Sequence, residues 1–185
     1  MRTAAQVLVG YLLLLVLGAV WRLVPLHFAA PDALAVIAVY LGLTARTVVL
    51  GGGITLRMAP ATLAAIVLGY LADLLAGTPR GTLALAAGVV CVAGQMVQRR
   101  LILRGLPASM GVASFAGLLS GIVVLAVRAW GHMTSGRSLR EAGMLVVGAV
   151  LTGLAGPLVF RVCRWVDARF ARTARERDVT LGGLV

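Results

Sequence analysis

The sequence predicts an all-α polytopic membrane protein, a single bundle of about six transmembrane helices with both termini in the cytoplasm. Composition speaks first: 61% of the 185 residues are hydrophobic and 12% charged, with a mean hydropathy of +1.01. A soluble domain runs near 45–50% apolar and about 25% charged. The apolar residues also fall in runs near the ~20 residues that a spanning helix needs. Finally, the basic residues lie mostly between those runs, as the positive-inside rule distributes them. Together these exclude a soluble α/β enzyme and a disordered chain, and leave no room for a separate folded domain. The net charge of +11 would point to nucleic acid in a soluble protein. Here it records topology, and no nucleic-acid partner is expected.

The first charge-free run, residues 3–21, ends at Arg22. It resembles a signal peptide at its start but has no clear small-residue cleavage site, so it is read as a retained first span. Next, PDALAVIAVYLGLTA is interrupted by Arg46 and followed by TVVLGGGITL. Two readings stand: a single span near 32–50 with Arg46 snorkelling to an interface, or a short helix followed by a turn at Gly51, Gly52 and Gly53. The third span is residues 60–77, and GTPRG then makes a tight turn in which Pro79 fixes one dihedral and Gly77 and Gly81 supply freedom. The run from Gly81 to Gln98 is the fourth span, residues 109–129 the fifth and residues 142–160 the sixth.

Six spans put both termini on one side. That side carries 12 arginines (Arg2, Arg46, Arg57, Arg99, Arg100, Arg104, Arg161, Arg164, Arg169, Arg172, Arg175 and Arg177) and the other five (Arg22, Arg80, Arg128, Arg137, Arg140), so the richer side is cytoplasmic. Residues 1–165 form the transmembrane domain and residues 166–185 a basic cytoplasmic tail. The start of the tail is read either as a helix lying on the anionic leaflet or as a solvated basic end. Arg99, Arg100, Arg104, Arg161, Arg164, Arg172 and Arg175 are the candidate contacts to anionic lipid.

Asp73 stands out as an acid within a span-like run, where burying charge is costly. Three roles are open to it. It can pair with Arg80 or accept hydrogen bonds from the N–H groups that start the fourth helix, it can contact a ligand, lipid or partner, or it can couple protons or ions. Gly69 lies one turn before it, a small-xxx-small spacing also seen at Gly117/Gly121 and Ala149/Gly153. Such spacing points to close helix packing and leaves homo-oligomerisation open. The serines lack a GxSxG setting and the carboxylates are not paired for acid–base work, so no catalytic residue and no enzyme activity are expected. Cys91, Cys163, His27 and His132 lack metal-ligand spacing; neither metal nor cofactor is expected.

Residues 70–105, YLADLLAGTPRGTLALAAGVVCVAGQMVQRRLILRG, resemble the rod shape-determining protein MreD family. The likeness lies in the apolar helix ending in Asp73, Leu74 and Leu75, the turn of Gly77, Pro79 and Gly81, a second apolar helix, and the basic cluster of Arg99, Arg100 and Arg104. Residues 47–58 depart from the family pattern as extra length between the second and third spans. The resemblance implies a non-catalytic, multi-pass protein of the bacterial inner membrane, similar in fold to the substrate-capture subunits of ECF vitamin importers. It implies binding to MreC, within a larger complex containing MreB, RodA and its transpeptidase partner, and a role in positioning lateral peptidoglycan synthesis and maintaining cell shape. Gly69, Asp73, Gly77, Pro79, Arg80 and Gly81 are then the candidate partner-binding or structural motif. The competing expectation is a small-molecule capture or transport subunit, with a cavity near the outer face reached by Asp73 or Tyr70.

Overall fold

Among the described residues, apolar runs bounded by Gly, Pro and Arg fold into six helices: α1 (Arg2–Leu23), α2 (Ala33–Thr44), α3 (Ala59–Ala76), α4 (Thr82–Arg100), α5 (Leu106–Trp130) and α6 (Ser138–Gly182). This computed structural model describes residues 2–23, 31–44, 59–77, 79, 81–100, 105–130 and 138–182. The chain is an all-α bundle in which two segments, Leu106–Trp130 and Gly143–Arg169, are long and apolar enough to cross a membrane. The other apolar helices are shorter.

The core is built around α2. Its residues from Leu34 to Gly42 are all buried, as suits a helix that is apolar on every side. All five other helices touch it. Close approach depends on missing side chains: a Cβ at Gly42 would collide with the carbonyl oxygen of Cys91 on α4. Along the antiparallel α5–α6 seam, Gly117 faces Thr152, Gly121 faces Leu145 and Gly156 faces Ala113. The small-residue spacings at Gly117/Gly121 and Gly153 are thus occupied within the chain. Much of the buried interior is alanine, at Ala35, Ala38, Ala65, Ala86, Ala113 and Ala116 among others. Large apolar side chains such as Leu12, Leu63, Phe115, Ile122 and Val150 face outward.

For the second apolar stretch, the described helix is a 12-residue segment ending at Thr44; Arg46, Arg57 and Gly51 to Gly53 lie outside the described residues. At the other end, α6 has 45 residues, a length of about 68 Å. It is continuous through Pro157 and through the expected division at residues 165 and 166. The tail therefore begins as an extension of the sixth helix.

Candidate functional site

The turn that joins α3 to α4 is organised by Asp73. Gly81 opens α4: its carbonyl accepts the N–H of Leu85 at 2.9 Å, the bond an N-cap residue makes, while its φ of +94° suits glycine. Glycine has no side chain to receive the next N–H groups. Asp73 supplies those acceptors from the neighbouring helix: Gly81 N–H donates to Oδ2 at 3.0 Å, Leu83 N–H to Oδ1 at 3.0 Å and Ala84 N–H to Oδ2 at 3.3 Å. Leu83 and Ala84 are the second and third helical positions, those a capping side chain ordinarily satisfies. The carboxylate also lies at the positive end of the helix dipole, in a helix with no acidic residue in its own first turn. Gly69 makes the reach possible, since a Cβ there would stand 2.6 Å from the Ala84 Cα and the Leu83 oxygen. Asp73 is 1% exposed. Pro79 adds a second clasp, its carbonyl accepting from the Thr82 hydroxyl at 2.9 Å. Gly77 has a φ of +64°, while Arg80 lies outside the described residues.

A second polar centre was not singled out by sequence. Asp32 caps α2, its Oδ1 accepting the Ala35 N–H at 3.0 Å, and its Oδ2 accepts the Ser120 hydroxyl of α5 at 2.6 Å. Its own N–H donates to Thr152 Oγ1 of α6 at 2.9 Å, and that hydroxyl donates to the Gly148 carbonyl at 2.7 Å. Ser120 lies about 21 Å along α5 from its start, so Asp32 sits part-way down the longer helices. Asp73 is therefore not alone among the acids in lying within an apolar bundle, as its place in the sequence suggested. The Pro31-Asp32 pair before an apolar run does signal a helix start; its depth depends on how short α2 is.

A third acid, Asp167 on α6, accepts the Tyr40 hydroxyl of α2 at 2.7 Å, and the Tyr40 ring meets Phe160 in a tilted contact with centroids 5.8 Å apart. Beside this pair opens a cleft of about 800 Å³ between the end of α2, the start of α5 and the middle of α6. Arg161 and Arg164 stand at one part of its wall, Leu154, Pro157 and Leu158 at another. It lies at the α4–α5 end of the antiparallel bundle, opposite the Asp73 turn. Tyr70, the other residue expected at an outer cavity, is exposed on α3.

No family model, curated protein or solved structure matches this chain.

Of the remaining candidates, Gly69, Asp73, Gly77, Pro79 and Gly81 meet in the one turn, and Arg161 and Arg164 meet in the cleft. Arg104 and the side chains of Arg99, Arg100, Arg172 and Arg175 lie outside the described residues. Cys91 and Cys163 are free thiols. Among the described residues no three His, Cys, Asp or Glu side chains are grouped to hold a metal.

Proposed function

We propose that this chain is a non-catalytic scaffold of the bacterial inner membrane that crosses the bilayer six times, keeps both termini in the cytoplasm and serves the cell-elongation machinery. The observation that carries the reading is the α3–α4 hairpin. Its sequence is the part that resembles MreD, and its turn is locked by Asp73 on the start of α4. A hairpin held in this way presents a fixed surface. Leu63, Val67, Tyr70 and Leu74 recur at helical spacing and are exposed on α3, which suits a second helix packing against them within a bilayer.

Membrane embedding itself is supported by the many large apolar side chains left exposed on the helices, among them Leu12, Leu63, Phe115, Ile122, Val150 and Leu154. Extended apolar patches are rare on the surface of a soluble monomer. The partner in this reading is the single-span periplasmic protein MreC, in a complex with MreB, RodA and its transpeptidase partner that positions lateral peptidoglycan synthesis. Capture of a small molecule through Asp73 is less well supported, because both carboxylate oxygens already hold backbone N–H groups of α4.

Co-purification of the full chain with MreC in nanodiscs tests the proposal. Wild type is expected to retain MreC, and Val67→Arg, which puts a charge on the exposed stripe without touching the turn, is expected to release it. Failure of wild type to retain MreC, together with normal cell shape after deletion of the gene, would reject the scaffold role.

A further inference from the structure

The cleft between α2, α5 and α6 has a polarity gradient. Leu154, Pro157, Leu158, Arg161 and Arg164 all line it, and their spacing of three and four residues makes them one stripe along α6. The stripe is apolar at its first three positions and cationic at its last two. From Leu154 to Arg164 the helix rises about 15 Å, half of the ~30 Å hydrocarbon core of a bilayer. In the proposed topology it runs from mid-membrane to the cytoplasmic interface, so the arginines lie where lipid phosphates lie and the leucines where acyl chains lie.

The opposite wall agrees in sign. Gly105 precedes α5, and Leu106 and Ser109 belong to its start; the first turn of α5 carries no acidic residue and its N–H groups form the positive end of the helix dipole. Asp167, three residues beyond Arg164, is engaged by the Tyr40 hydroxyl. The volume of about 800 Å³ is within the ~300–1,000 Å³ usual for ligand sites. Leu106 and Leu158 are both more than half exposed, which leaves the apolar wall open to lipid from the side.

We infer that this cleft is a binding site for one anionic glycerophospholipid of the cytoplasmic leaflet. Its phosphate lies between Arg161 and Arg164 and an acyl chain lies against Leu154, Pro157 and Leu158. Arginine suits the task because its planar fork holds phosphate oxygens in pairs, and the cytoplasmic leaflet supplies anionic lipid. The site rests on the proposed membrane embedding and not on the elongation role. A lipid seated there would bridge α2, α5 and α6 at the end of the bundle away from the Asp73 turn.

The test is native mass spectrometry of the full chain released from vesicles of phosphatidylcholine with or without phosphatidylglycerol. Wild type is expected to keep a phosphatidylglycerol molecule and no phosphatidylcholine. The variant with Arg161→Ala and Arg164→Ala is expected to keep roughly thirtyfold less, the effect of two basic side chains at an anionic surface. Leu158→Trp, which fills the apolar wall and leaves both arginines, is expected to expel the lipid too, whereas Arg128→Ala at the far end of α5 is expected to keep it. Equal retention by the double arginine variant, equal retention of phosphatidylcholine, or displacement by inorganic phosphate would overturn the site. Carbonate extraction of the same vesicles separates the two readings. A chain that stays embedded yet keeps no lipid counts against the cleft alone, and a chain that is extracted overturns the embedding and the site with it.

Discussion

Asp73 accepts backbone N–H groups at the start of α4, and its replacement should register as lost stability. Asp73→Ala removes the buried acceptor for the N–H groups of Leu83 and Ala84. The expected cost is about 2–3 kcal/mol, from the loss of a helix cap and of hydrogen bonds to a charged group. Asp73→Asn keeps one acceptor oxygen and should fall between. Thermal unfolding in detergent, followed by labelling of the thiols that unfolding uncovers, measures this; Cys91 is fully buried and serves as the reporter. Tyr70→Phe, on the exposed side of the same helix, is the control expected to unfold with wild type. If Asp73→Ala also unfolds with wild type, the cap contributes nothing. Asp73 was conspicuous in the sequence because an acid in an apolar run has few places to go, and its acceptor role lies within reach because a five-residue turn joins the helices. Asp32 was not conspicuous, since an acid after a proline reads as ordinary punctuation between spans.

Among the helices, a polar tie joins α2 to α5 and α6 through Asp32, Ser120 and Thr152. Ser120 and Thr152 are 2% and 1% exposed, so water cannot replace a missing partner. Ser120→Ala is expected to cost about 1.5–3 kcal/mol, the range for a hydrogen bond to a charged group. A double-mutant cycle with Asp32→Ala should show most of that loss as coupling between the two residues. Additive losses would mean that the 2.6 Å contact does not stabilise the tie. Helix positions were legible where a charge or a Gly-Pro turn ends an apolar run, as for α3, α4 and α5. The length of α6 was not. Its tail, DARFARTARER, is rich in Arg and Ala, both good helix formers, so the helix outlasts the apolar segment, whereas hydropathy marks only the part that lipid would cover.

At the scale of the whole molecule, sequence carried the all-α architecture, but not the cleft. Its walls come from residues 40–43, 105–110 and 154–164, and no local pattern links segments so far apart in the chain. The proposed topology has a direct consequence that cysteine accessibility measures. The α3–α4 turn and the start of α5 lie at opposite ends of the bundle, and 12 of 17 arginines assign the latter to the cytoplasm. In a Cys163→Ser background, with buried Cys91 left in place, Pro79→Cys is expected to react with a membrane-impermeant maleimide in spheroplasts with an intact membrane. Leu106→Cys is expected to react only after the membrane is permeabilised. Both positions are exposed, so burial in the protein does not explain a difference between them. Labelling of both from outside would mean that α4 does not cross the bilayer, and the arginine asymmetry would then lose its topological meaning. Reaction of Leu106→Cys alone from outside would invert the orientation and move the lipid cleft to the outer leaflet.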